Sequence, residues 1–180
     1  MSSEKTIKDQ LLQESETLVD LSDELEEAIK KNDQNAADEV IHQLDAMGSV
    51  LVKRLDKLEG DDLAYANFML GSLCTTLRMW PQAEESYKKA LDHWPDHVGI
   101  LNELFLSLYE QDKYKEAEDI IKRSIEYGGE TPDVLQNFAA VLVKLDRLEE
   151  AKVVLFNCTA KFPDDEESKT MLEVLDKMMN

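Results

Sequence analysis

A chain of 180 residues that is 43% hydrophobic carries enough apolar side chain for one compact domain or one repeat array. Its net charge of -19 excludes the clustered cations that nucleic-acid phosphates or an anionic membrane surface would require. No window approaches eighteen uncharged apolar residues, so no membrane insertion is expected, and MSSEKTIKDQ lacks the apolar run of a signal peptide. Low Gly and Pro beside abundant Leu, Ala, Glu and Lys favour helix throughout, an all-α fold. The acidity serves solubility, or it suits a basic partner or an apolar one that must be kept soluble.

The predicted elements begin with residues 4–31, which contain neither Gly nor Pro. Leu11, Leu18 and Leu25 lie seven apart, with Leu21 and Ala28 three residues later in the same register, an amphipathic helix of several turns. Lys31-Asn32-Asp33-Gln34-Asn35 breaks it, and Asn35 is expected to cap a second helix. In that helix Ala37, Leu44, Leu51 and Leu58 repeat by seven, flanked by Ile41 and Leu55, and Gly60-Asp61-Asp62 is expected to end it. Residues 1–60 thus form an N-terminal helical hairpin. It is either a cap on the remainder of the chain or a coiled-coil-like element through which a homo-oligomer forms.

From residue 61 onward the chain repeats. Ala83, Ala117 and Ala151 are 34 residues apart. The same step links Leu70, Leu104 and Phe138, then Cys74, Leu108 and Leu142, then Trp80, Tyr114 and Leu148. It also links Tyr87, Ile121 and Leu155, and the small residues Ala90, Ser124 and Cys158. Pro95 and Pro163 are two periods apart, with Gly129 in the matching place between them. Each unit reads as two antiparallel helices, in the first unit over roughly 63–78 and 81–93. Pro81 suits a first helical turn, where its missing N–H is no loss, and Trp94-Pro95-Asp96 stops the second helix. Thr131-Pro132-Asp133 is a strong start signal: a hydroxyl cap, Pro at the first position and an acid at the positive end of the macrodipole. After the third unit, Asp164 to Glu167 place acids at a helix start, and Met171, Leu172, Leu175, Met178 and Met179 come after them at helical spacing. Such a helix covers the last exposed face of a repeat array.

Chemistry is sparse. His93 and His97 have a metal-like spacing, but Trp94-Pro95-Asp96 breaks the helix between them, and His42 lies on a polar face. There is no Cys-x-x-Cys, no phosphate-cradling Gly-rich loop and no nucleophile elbow. Cys74 and Cys158 lie far apart on apolar faces, consistent with buried thiols in a reducing compartment, the cytoplasm. No catalytic residue, metal ligand or cofactor site is expected, and the chain is read as no enzyme.

The 34-residue pattern resembles the tetratricopeptide repeat family. The residues that carry it are Leu70-Gly71, Ala83, Tyr87, Ala90 and Pro95, then Leu104, Ala117, Ile121 and Ser124, then Ala139, Ala151, Leu155 and Pro163. The units are 64–97, 98–131 and 132–165, with a capping helix over 166–180, inside a repeat domain spanning 61–180. Two departures are Phe105, where a small residue is usual, and Gly128-Gly129 in place of the terminal proline. The resemblance implies a right-handed α-α superhelix of three helix pairs, preceded here by the hairpin. It also implies a concave groove lined by the first helix of each unit, with Tyr65, Phe68, Met69, Ser72, Asn102, Leu106, Tyr109, Gln136 and Val143 facing a protein or peptide partner. Ala140 lines it as well, and Met171 and Val174 would extend it. The alternative at this surface is that the chain's own hairpin covers Tyr65 and Phe68.

The family's chaperone-cofactor type holds a carboxyl-terminal Glu-Glu-Val-Asp tail with Lys, Arg and Asn on its inner helices. The matching places here are Phe68, Ser72, Glu103, Asp133 and Asn137, and none is cationic. The implied function is a protein-interaction scaffold or adaptor. The alternatives are a small acidic chaperone for an apolar export substrate and a self-assembling structural scaffold.

Overall fold

The computed structural model describes residues 6–179. Among them are nine helices: α1 (Ile7–Lys30), α2 (Gln34–Leu55), α3 (Gly60–Thr76), α4 (Trp80–His93), α5 (Val98–Tyr109), α6 (Tyr114–Glu126), α7 (Pro132–Lys144), α8 (Leu148–Lys161) and α9 (Glu166–Met179). They fall into two compact units that divide between Pro95 and Asp96, so α1–α4 form the first unit and α5–α9 the second.

The 34-residue period is visible in the backbone as well as in the side chains. Arg78, Asp112 and Asp146, one period apart, all take left-handed φ values of 55°, 58° and 60°. Each sits in the turn between the two helices of a pair. One residue later a backbone N–H reaches back five positions: Met79 to Cys74 at 2.7 Å, Lys113 to Leu108 at 3.0 Å and Arg147 to Leu142 at 2.9 Å. This left-handed closure satisfies carbonyls that the helix end would otherwise orphan. The α1–α2 turn uses the same device, with Asn32 at φ 55° and Asp33 donating to the Ala28 carbonyl at 2.9 Å. The hairpin is therefore a helix pair of the same local design, built from longer helices that take it out of the 34-residue register.

In the second unit, Ala117 and Ala151 are wholly buried, as are Ser124 and Cys158, while Ile121 and Leu155 pack beside them. In the first, Ala83, Tyr87 and Ala90 occupy the same columns and are also wholly buried. Both cysteines are buried free thiols, and burial raises the pKa of the Cys74 thiol. Leu70 and Phe138 are only half-buried, unlike Leu104 in the same column.

Most of the hairpin leucines are buried within the first unit. Leu18, Leu21, Leu25 and Ala28 of α1 meet Ala37, Val40 and Leu44 of α2, together with Leu73 of α3. Leu11 and Leu51 pack with Leu58, Ala66 and Met69 in a second cluster. Polar contacts run alongside: Ser22 to Thr76 at 3.0 Å, and Arg54 to Glu14 at 2.6 Å. In the second unit Leu175 of α9 enters the cluster of Ala139, Leu142, Ala151 and Leu155, so α9 covers an apolar face of α7 and α8.

Two local expectations change. The cap of α2 is Asp33, whose side chain accepts from the Ala36 N–H at 3.1 Å, and not Asn35, which lies inside the helix. Gly60-Asp61-Asp62 does not end α2, which stops at Leu55; these residues form the first turn of α3. The φ of +54° at Gly60 makes the entry, and the two acids sit where the macrodipole favours them. The Thr131-Pro132 start holds as expected, Thr131 accepting from the Val134 N–H.

Candidate functional site

In the first unit the residues expected to face a partner lie on α3. Tyr65 and Phe68 are half-buried with ring centroids 6.2 Å apart, and Phe68 lies 6.3 Å from the Tyr87 ring. Tyr65 donates its hydroxyl to Ser15 Oγ at 2.8 Å, so α1 reaches this end of the face. Ser72 is half-buried and donates to the Phe68 carbonyl at 3.2 Å. Met69 is a correction: it is 1% exposed inside the α1–α2–α3 cluster and faces no solvent. The hairpin supplies Leu11 and Leu51 to cover it, which helical periodicity alone does not reveal.

In the second unit two of the expected polar contacts are occupied internally. Asn102 Oδ1 accepts from Ser124 Oγ at 2.6 Å, which ties α5 to α6. Gln136 is 8% exposed, and its Nε2 donates to Asp165 Oδ2 at 2.9 Å and Ser168 Oγ at 3.1 Å. Asp165 also accepts from the Ser168 N–H at 2.9 Å, and Ser168 Oγ lies 3.1 Å from Cys158 Sγ. This network fixes the start of α9 to α7 and α8. Gln136 is thus a structural tie, and the Asp165 carboxylate is held below its ordinary pKa by the side chain and N–H of Ser168.

Of the remaining second-unit residues, all but Leu106 converge. Ala140 and Val143 of α7, Met171, Val174 and Met178 of α9, and Tyr109 from the end of α5 line an apolar cavity of about 310 Å³. Val174 and Met178, at the groove's lip, are 51% and 60% exposed. Tyr109 is set by neighbouring rings, with centroids 5.8 Å from Phe105 and 5.4 Å from Tyr114. Phe105, the departure from the small residue usual there, is buried and serves as the support of Tyr109. Tyr114 donates to the Asp112 carboxylate, which raises the Tyr114 pKa to about 12. Lys144 stands 5.7 Å over the Tyr114 ring at the groove's rim. Leu106, 37% exposed, belongs to α5 but does not line the cavity.

Several ionisable groups take structural roles. His97 caps α5, its Nδ1 accepting from the Ile100 N–H at 3.3 Å, and His93 Nε2 lies 2.9 Å from Asp61. Burial opposes ionisation of Glu118, yet Lys122 and Arg147 hold its pKa below the ordinary value. Among the described residues no three His, Cys, Asp or Glu side chains gather as a metal site would need. No helix among them is long and apolar enough to cross a membrane.

The Asp165 network gives a pH signature. Because folding lowers the Asp165 pKa, its stabilisation is present above the unfolded value and is lost as pH falls through the folded one. The protection factors of the α9 amides, which remove the intrinsic slowing of exchange in acid, should therefore fall as pH drops through and below the ordinary carboxylate range, and Asp165→Asn should remove that acid limb. An unchanged acid limb in the variant would assign it elsewhere.

No family model and no curated protein matches this sequence. Solved structures do. A MamA double mutant, from RS-1, aligns over 92% of this chain and 85% of its own at TM-score 0.64 and 11% identity. The first tetratricopeptide domain of Spaghetti (RPAP3), solved with an HSP90 peptide, aligns over 67% of this chain and 98% of its own at TM-score 0.59 and 16% identity. TTC0263, a thermophilic protein of Thermus thermophilus, aligns over 84% of this chain and 86% of its own at TM-score 0.58 and 18% identity. At such identities the likeness is one of fold. The 34-residue columns, the helix pairs they build and these neighbours make the chain a tetratricopeptide repeat protein in fold.

Proposed function

We propose that the protein is a non-catalytic interaction scaffold whose α7–α9 groove takes an apolar segment of a partner protein. The observation that carries this reading is the groove itself. Val174 and Met178 stay exposed at its lip, and Tyr109 is buttressed on two sides by other rings. Rigid aromatics and flexible methionines are the side chains that anchor helical or extended peptides by their apolar faces. Within the second unit Leu106 is a further contact in this reading, while Asn102 and Gln136 drop out because the fold uses them; in the first unit Tyr65, Phe68 and Ser72 stay half-buried at a separate surface, and Met69 drops out. The RPAP3 domain bound to the HSP90 peptide SRMEEVD is a precedent for a peptide on this fold.

The precedent does not extend to the carboxylate tail. Phe68, Ser72, Glu103, Asp133 and Asn137 offer no cation, so a peptide ending in Glu-Glu-Val-Asp should give no saturable heat in calorimetry at moderate salt. An amphipathic peptide with Leu or Met at i, i+3, i+4 and i+7 should bind, and Met178→Asp should abolish that binding. Micromolar affinity for the acidic tail would overturn the assignment, as would undiminished binding by Met178→Asp. Two methionines in the groove, on a chain of net charge -19, also favour a chaperone for an apolar substrate. That reading expects many unrelated apolar peptides to bind with similar affinity.

A further inference from the structure

A second cavity, of about 400 Å³, lies in the first unit where α1, α3 and the end of α4 meet. Its walls are the Tyr65 and Trp94 rings and the Asp61 and Asp62 carboxylates, over Leu11 and Leu12. The Asp61 carboxylate is fixed from two sides. Trp94 Nε1 donates to its Oδ1 at 3.0 Å, and His93 Nε2 lies 2.9 Å from the same oxygen. Both contacts fall on one oxygen, and the carboxylate remains 80% exposed. The indole N–H, then the His93 contact, hold the Asp61 pKa below the ordinary carboxylate value, so the group is anionic at any physiological pH.

We propose that this cavity is a docking site for an arginine side chain of a partner protein, distinct from the α7–α9 groove. Two carboxylates beside two aromatic rings over an apolar floor match the three faces of an arginine. Its planar guanidinium stacks on a ring, its fork of N–H donors pairs with carboxylate oxygens, and its methylene stem lies on leucine. A phosphate or carboxylate ligand is repelled by Asp61 and Asp62. A purely apolar ligand would strip water from both acids with nothing in return. The cavity also holds the chain's own Lys8, near enough to Asp61 to add to the lowering of its pKa. The long flexible stem of Lys8 allows it to be displaced.

The test uses the full ¹⁵N-labelled chain and the indole N–H resonance of Trp94, assigned against Trp80 with Trp94→Phe. The probe is acetyl-Ala-Ala-Arg-Ala-Ala-amide. The same peptide with citrulline is isosteric but uncharged, and butylguanidinium is the cation without a peptide. The arginine peptide should shift the Trp94 resonance saturably, and added salt should weaken it. Citrulline should leave the resonance in place. Asp62→Asn, which disturbs neither fixed contact of Asp61, should weaken the arginine peptide by about tenfold or more. Lys8→Gln should strengthen it, because the competing cation is gone. A Trp94 resonance unmoved by the arginine peptide, or moved equally by citrulline, overturns the proposal. Butylguanidinium carries the same guanidinium and stem and should shift the same resonance; a Trp94 resonance that this cation leaves in place also overturns the proposal. If Asp62→Asn unfolds, the comparison of arginine with citrulline decides alone.

Discussion

Gly71→Ala should destabilise the protein by about 1–3 kcal/mol, although the same change in an exposed helix stabilises by about 0.5–1 kcal/mol. A Cβ at Gly71 would lie 2.5 Å from Tyr87 Cε1 and 2.6 Å from Cδ1. The ring cannot move aside. Tyr87 is wholly buried, and its hydroxyl pairs with Thr75 Oγ1 at 3.1 Å. Tyr87→Ala should itself cost about 3–5 kcal/mol, the usual range for an aromatic removed from a core. The informative variant is the double one. With the ring gone the clash is gone, so Gly71→Ala added to Tyr87→Ala should be neutral or mildly stabilising, a reversal of sign. Denaturant melts of the four proteins measure this coupling. Additive losses would mean that Gly71 is present for some reason other than the ring.

Leu104→Ala should cost about 2–5 kcal/mol, while Leu106→Ala, two residues away, should stay within about 0.5 kcal/mol. Leu104 is 1% exposed in the repeat's apolar column, whereas Leu106 is 37% exposed on the opposite side of α5. Loss of Leu104 leaves a cavity whose lining comes from helices that cannot fully collapse onto it. Midpoint shifts in urea at constant slope are the readout. Equal losses would mean that α5 is rotated about its axis relative to the arrangement described.

The same contrast marks what sequence can and cannot reveal. The alanine column, Tyr87 and its equivalents, and the Thr131-Pro132 cap are legible because each is a residue type forced by its own local geometry. The αL turn at Arg78, Asp112 and Asp146 is just as periodic, but its trace in residue chemistry is weak: Asp112, Asp146 and Asn32 are types that tolerate a left-handed φ, whereas Arg78 is not. At the candidate site, Tyr109 and Val143 are readable as half-exposed apolar positions on first helices of a pair. Asn102 and Gln136 are not: their partners Ser124 and Ser168 lie 22 and 32 residues further on. Periodicity says which face a polar residue occupies and nothing of what meets it there. Met69 misleads for the same reason, since its covering residues Leu11 and Leu51 belong to a hairpin outside the repeat register. His97 reads first as half of a metal-like pair, although its position just before α5 is the signal of a cap.

The claim that the α7–α9 groove is the working surface is most directly tested by methyl NMR with a peptide selected from a randomised library against the full chain. The Met171 and Met178 methyl resonances report from inside the cavity, and those of Met47 and Met79 in the first unit serve as references. Binding should shift Met171 and Met178 and leave the references in place. Tyr109→Ala should weaken the selected peptide by about tenfold or more with its melting temperature nearly unchanged, because truncating an interface aromatic costs binding of about 1–2 kcal/mol. Selected peptides that bind Tyr109→Ala at full affinity, or that leave both groove methyl resonances unmoved, would contradict the account.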